Sequence, residues 1–136
     1  MRVDSNTRGH FLWYNFKVSN LQKNVRYKFN ICNMQKETSL YSRGMKPYVL
    51  SAKSQEKLGR DWMQQGENIK YERKPGKSLS IFDKNCRFYN QLSFELSTVH
   101  DGDTLHVAYS IPYTYTDLRM YLDELRKKNL SILCLI

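Results

Sequence analysis

The stretch TLHVAYSIPYTYTDLRMYLDEL, residues 104–125, changes its apolar period in the middle. Before Pro112, the residues Leu105, Val107, Tyr109 and Ile111 alternate with polar or small neighbours, the two-residue period of a strand with one core face. After it, Leu118, Tyr121, Leu122 and Leu125 recur at i, i+3, i+4 and i+7, the stripe of an amphipathic helix. Pro112 cannot donate to a ladder and ends the strand. Thr114 with Asp117 three residues on has the spacing of a capping box, with Thr116 as a second cap candidate, and the carboxylate also suits the positive end of the helix dipole. The RKK run at 126–128 falls where cations favour the helix C-terminus. Tyr113 and Tyr115 are not needed for any of this, and corner packing with the phenol oxygens on backbone groups is their simplest reading.

Working outward, the period of two dominates. QLSFELS at 91–97 sets Leu92, Phe94 and Leu96 against Ser93, Glu95 and Ser97. The Asp101–Gly102 pair that follows is a strong hairpin signal and predicts that this strand and the next are neighbours. FLWYNFKV at 11–18 places Leu12, Tyr14, Phe16 and Val18 on one side, and YKFNICN at 27–33 places Tyr27, Phe29 and Ile31 on one side. The intervening SNLQKN reads as a hairpin connection, so these two strands are also expected to pair. Gly44 and Pro47 mark a turn before a short strand at Tyr48–Leu50, and NIKYERK reads as a strand closed by PGK. SLSIF at 78–82 is a further strand candidate. AKSQEKLGRDWMQQG could form a turn or two of helix, against which Gly59 and the polar excess weigh. Many short strands at turn-punctuated spacing predict an all-β fold, an antiparallel β-sandwich with a C-terminal amphipathic helix.

The chain has 136 residues, enough for one domain with a real core. Hydrophobic residues make up 40% and aromatics 13%, too rich for disorder. No apolar window reaches membrane length and MRVDSNTRGH has no signal-peptide core, which places the chain in the cytoplasm. Cys32, Cys86 and Cys134 are odd in number with no C-x-x-C spacing and read as buried free thiols. A net charge of +9 implies attraction to something acidic (nucleic acid, anionic lipid or an acidic protein) without choosing one, and the scatter of the cations, with no run of five or six, favours a solvated surface.

Catalytic constellations are missing. His10, His100 and His106 with Asp101 and Asp103 do not have metallopeptidase spacing: position +3 is Trp13 after His10 and Tyr109 after His106. There is no nucleophile elbow, P-loop or glycine-rich dinucleotide motif. Basic and aromatic residues interleave in YERKPGK and CRFYN, a weak signal for single-stranded nucleic acid. The residues describe a binding or structural domain.

Several motifs then fall in one order: RVDSNTRGHFLWYNFKVSN at 2–20; YKFNICN, Lys36 and SLYSRGMKP within 27–47; Trp62, Gly66 and IKY at 69–71; and VAYSIPYTYTDL at 107–118. Together they resemble the N-terminal domain of the cytosolic carboxypeptidases, zinc carboxypeptidases of the M14 class that remove glutamates from tubulin and other proteins. The resemblance implies a sandwich over 1–116, lacking its first strand. Residues 117–136 would be a helix and the start of a linker towards a catalytic domain that this chain does not carry. The chain itself would then hold no cofactor and catalyse nothing, the family's zinc and catalytic glutamate belonging to that further domain.

The resemblance also implies interdomain or partner-binding roles. Tyr113 and Tyr115 would face the catalytic domain, supplied in cis or in trans. Arg43 and Lys46 would donate to that domain or to an acidic partner, with plain surface charge as the alternative. Trp13 and Trp62 would pack in the core or between domains. The domain would serve folding, interdomain contact or orientation of glutamate-rich tails such as those of tubulin, in a microtubule- or cilium-associated setting. The alternative is a free-standing adaptor whose basic surface binds such tails; nucleic acid ranks behind both, and no membrane role is expected.

Overall fold

The alternating apolar residues build two antiparallel sheets that face each other. The computed structural model describes residues 12–34, 36–76 and 87–127. Strand candidate SLSIF, the RVDSNT motif, the ILCLI tail, Lys128, His10, Cys86 and Cys134 lie outside the described residues. The order is β1 (Asn15–Leu21), β2 (Tyr27–Met34), a 3-10 turn (Leu40–Arg43), β3 (Tyr48–Ser51), α1 (Ala52–Leu58), β4 (Met63–Gln64), β5 (Glu67–Pro75), β6 (Phe88–Leu96), β7 (Asp103–Ala108) and α2 (Tyr115–Lys127). One sheet has the order β1-β7-β3-β4 and the other β2-β6-β5. The all-β sandwich with a C-terminal helix is therefore the observed class.

The core holds the inward set of each strand. Leu92, Phe94 and Val107 are fully buried, with Tyr14, Val49, Leu96 and Leu105 nearly so. Each such side chain contributes about 1.5–3 kcal/mol through the water it sheds. Phe16 of one sheet reaches Phe29 of the other at 5.8 Å, and Phe29 stacks on Phe94 at 5.6 Å.

Two expected hairpins are not hairpins. β1 pairs with β7, not β2, and β2 pairs with β6. β6 and β7 likewise lie in different sheets despite Asp101–Gly102 between them. A short link is compatible with either outcome, because a handful of extended residues spans the roughly 10 Å between facing sheets. Both links instead cross the sandwich at one end, side by side. Lys23 and Thr98 form a parallel bridge, Asn24 N donates to Thr98 O at 2.9 Å, and Lys23 N donates to Asp101 Oδ1 at 2.8 Å. Asn20 and Asn24 supply left-handed turns at φ 63° and 58°, and Gly102 another at 60°.

Asp103 fixes this end. Its carboxylate has no solvent exposure and accepts from Ser51 Oγ (2.7 Å), Thr104 N (2.8 Å), Lys53 N (3.2 Å) and Thr98 Oγ1. Ser51 Oγ in turn accepts from Ser54 N at 3.0 Å, capping α1, and Gly59 ends that helix in the left-handed region at φ 62°. Gly59, which weighed against a helix in the sequence, is thus its terminator. Burial pushes the Asp103 carboxyl up, but the hydrogen bonds from Thr98, Ser51, Lys53 and Thr104 outweigh it and hold the group below its usual range.

The opposite end is built from tyrosine. Tyr14 and Tyr41 meet hydroxyl to hydroxyl at 2.7 Å, and Tyr109 sets its ring edgewise to both, at 6.1 and 6.0 Å. Burial first, then the neighbouring ring hydroxyl of Tyr41, drives the Tyr14 phenol far above its ordinary value; burial pushes Tyr41 to about 12. Tyr14 and Tyr41 stay neutral and act as hydrogen-bonding packing groups.

Asp103→Asn should lower stability to urea by about 2–4 kcal/mol, since bonds to a charged acceptor are stronger than neutral ones and a buried donor pair is left facing donors. The folded carboxyl titrates below its free value of 3.8, so its contribution is complete above that pH and vanishes as the pH falls through the folded value. The Asn variant should lose that part of the acid-side decline, a difference read from urea midpoints across pH. Thr114→Ala should cost about 1 kcal/mol of helix stability and reduce the far-ultraviolet helical signal, while near-ultraviolet signals from the sandwich stay unchanged.

Candidate functional site

The strand register sorts the outward residues of the four-stranded sheet into rows. Val107, Leu105 and Val49 point into the core, so their alternating neighbours face outward. One row is Asn15–Ala108–Tyr48–Gln64; the next is Lys17–His106–Leu50. Trp62 covers the second row, its ring edgewise to His106 at 6.5 Å. Trp13 lies beyond the first, where Nε1 donates to Ser110 Oγ at 3.0 Å. Trp13, Tyr48, Leu50, Trp62 and His106 are all half-buried on this outer face. Both tryptophans therefore belong to one surface and not to the central core, a placement that the sequence left open.

The tyrosine corner grows out of the same sheet. Tyr109 N donates to Tyr14 O at 2.9 Å, extending the β1–β7 ladder by one pair before the chain turns away. The capping box then forms reciprocally: Asp117 N donates to Thr114 Oγ1 at 3.1 Å and Thr114 N to Asp117 Oδ2 at 2.7 Å. The side-chain bond from Thr114, then its backbone bond, lowers the Asp117 carboxyl. Tyr113 and Tyr115 are 68% and 74% exposed, and neither phenol makes a hydrogen bond among the described residues.

The helix is exposed too. No residue of α2 is buried; Leu118, Met120 and Tyr121 are 37%, 66% and 54% exposed, and Ile111 before it 52%. Leu118 and Tyr121 belong to the expected apolar stripe, which has formed without closing onto the sandwich. A 13-residue helix is marginal in water unless an apolar face is packed.

Arg43 and Lys46 are exposed. Arg43 ends the 3-10 turn, where Gly44 caps it. Lys46 lines a shallow polar cavity of about 290 Å³ with Arg26, Gln64, Gly66, Glu67 and Glu95. Among the described residues neither side chain makes a hydrogen bond or ion pair, whereas Arg26 lies 3.4 Å from Glu67 and 3.7 Å from Glu95. His100 Nε2 meets Ser54 Oγ at 3.1 Å, and no group of three or more His, Cys, Asp or Glu among the described residues could hold a metal ion. No described helix is long and apolar enough to cross a membrane.

Sequence reasoning missed two groups. One is the Ser51–Thr98–Asp103 knot, whose only sequence signal is an acidic residue at an inward strand position. The other is the charged outer face of the second sheet, which Lys28 of β2 and Lys70 and Lys74 of β5 share with Glu67, Glu72 and Glu95.

No family model matches the chain. Cytosolic carboxypeptidase 2 of Danio rerio is 35% identical over 124 residues, covering 91% of this chain and 16% of the relative. Cytosolic carboxypeptidase 3 of Mus musculus is 34% identical over 141 residues, covering 98% and 13%, and cytosolic carboxypeptidase 2 of Homo sapiens is 36% identical over 122, covering 90% and 13%. The chain thus spans less than a fifth of the length of these relatives. Nearly all of it aligns with proteins of that one name at about a third identity, and the chain belongs to the cytosolic carboxypeptidase family as the counterpart of one segment of those longer proteins.

Proposed function

We propose that this chain is a non-catalytic sandwich domain of a cytosolic carboxypeptidase that packs against the catalytic domain through the outer face of its four-stranded sheet. The observation that carries this reading is the difference between the two outer faces. On the four-stranded sheet, Trp13, Tyr48, Leu50 and Trp62 are only half-buried, and the exposed residues Ile111, Tyr113, Tyr115, Leu118 and Tyr121 continue from the end of β7. Large exposed apolar areas with tyrosine and tryptophan mark surfaces that another body covers. The outer face of the three-stranded sheet carries Lys28, Asn30, Gln91, Ser93, Glu72 and Lys74 instead, as a solvated face does.

In this reading Tyr113 and Tyr115 present phenol hydroxyls at the seam and α2 gains the packing that it lacks alone. Residues 117–136 lead towards the catalytic domain. That domain would supply zinc and the glutamate-removing chemistry, acting on tubulin and other protein tails. The sandwich domain supports folding of its neighbour and helps to orient the substrate.

Two measurements check the proposal. The chain supplied with zinc and a polyglutamate-tailed peptide should release no glutamate, and turnover would overturn the non-catalytic assignment. Titrated against the remaining portion of the Danio rerio relative, produced as a separate polypeptide, the chain should bind saturably. Tyr113→Ala with Tyr115→Ala, or Trp62→Ala alone, should weaken that binding about tenfold, the effect of removing aromatic anchors from an interface centre. Absence of association, or indifference to all three substitutions, would sink the packing model.

A further inference from the structure

Two glutamates of the second sheet lie directly opposite each other, Glu67 at the start of β5 being in register with Glu95 of β6. Like charges so placed repel. Arg26, just before β2, answers both, at 3.4 Å from Glu67 and 3.7 Å from Glu95. One guanidinium cannot neutralise two carboxylates. Asn68 Nδ2 donates to Glu95 at 2.8 Å without adding charge. Lys28, opposite Glu95 in register, makes no ion pair with it among the described residues. A net negative charge is left at Glu67, whose side chain is 70% exposed.

Arg26, Glu67 and Glu95 line the cavity of about 290 Å³. Lys46 enters the same space from the segment before β3, with an ammonium that no described residue answers. The β4–β5 crossing supplies the amides of Gln64 and Gln65. Gln65 N donates to Pro47 O at 2.9 Å, which ties this crossing to the segment that carries Lys46. Gly66 turns the crossing at φ 136°, where a Cβ would come within 3.4 Å of Pro47 Cδ and Ile69 Cδ1. The cavity therefore joins an excess carboxylate, an unanswered ammonium and two neutral amides.

We propose that this cavity binds a free α-amino acid with an uncharged polar side chain. The ammonium of the ligand donates to the Glu67 carboxylate, its carboxylate accepts from Lys46 Nζ, and its side chain exchanges hydrogen bonds with the amides of Gln64 and Gln65. A zwitterion answers both unbalanced charges with one molecule, whereas a simple anion or cation answers one and leaves the other. An acidic side chain brings a third carboxylate beside Glu67 and Glu95 and is disfavoured. Sites for drug-sized molecules occupy roughly 300–1,000 Å³, so a volume just below that range suits a ligand as small as an amino acid. All these groups belong to this chain, and the site needs no packing partner.

The test is an NMR titration of the isotope-labelled chain at low ionic strength with L-glutamine. Saturable amide shifts should centre on residues 64–67 and 95–97, at an affinity near millimolar, as exposed charge pairs support no more. Glutaminamide lacks the carboxylate and N-acetylglutamine lacks the ammonium; each should bind about fivefold more weakly, and L-glutamate about threefold more weakly. Lys46→Ala should erase the difference between glutamine and glutaminamide, and Glu67→Gln the difference between glutamine and N-acetylglutamine. Glu67→Gln should also leave the thermal midpoint unchanged or raised, because it relieves the repulsion with Glu95, so its loss of binding is not a loss of fold. Absent shifts, shifts mapping elsewhere, equal binding of the blocked forms, tighter binding of glutamate, or differences that survive both substitutions would each overturn the proposal.

Discussion

A buried carboxylate in a sandwich this small has to be answered by donors from several parts of the chain, and Asp103 is answered by four. Its partners come from the end of β3 (Ser51), the start of α1 (Lys53), the crossing after β6 (Thr98) and its own strand (Thr104). Two of the four links that pass between the sheets, β1–β2 and β6–β7, meet beside it. Fixing both crossings at one point places β1 beside β7 and β2 beside β6, and with them every inward residue of the core. A charged group left unanswered in that position would cost several kcal/mol, so the surrounding geometry is tightly specified.

At the other end, the closure is made by phenols and not by ions. Tyr14, Tyr41 and Tyr109 fill the gap between sheets with rings, and the Tyr14–Tyr41 bond satisfies both hydroxyls without bringing charge inside. The last ladder bond, from Tyr109 N to Tyr14 O, is where the sheet stops and the corner towards α2 begins. The exposed tyrosines at 113 and 115 lie just beyond this tyrosine-packed edge. The two outer faces differ, one carrying half-buried aromatic residues and the other amides, lysines and glutamates.

Much of this was legible in the residues. The alternation in FLWYNFKV, YKFNICN and QLSFELS, and in TLHVAYSI as far as Tyr109, named the inward sides correctly, because side-chain direction in a strand depends only on backbone parity; Ile111, read as inward, lies beyond the end of β7 and is exposed. The Thr114–Asp117 box and the extent of α2 were readable because both are local, within one helical turn. Pairing was not legible. SNLQKN and Asp101–Gly102 are turn-forming sequences, and turn chemistry reverses a chain equally well within a sheet or across the gap between two. For the same reason the tryptophans could be named but not placed, since parity separates the faces and only register reveals what covers them.

The sequence by itself determined the sandwich class, the inward face of β1, β2, β6 and β7, the helix and its cap, and the family likeness, since each rests on periodicity, on local spacing or on the order of motifs. Tertiary structure alone decided which strands are neighbours, that Asp103 joins Ser51 and Thr98, and that Lys28 shares an outer face with the charged residues of β5. It also decided that Trp13 and Trp62 share one face. Those outcomes depend on contacts between residues distant in the chain, and their energies arise only once the two sheets have closed on a common core.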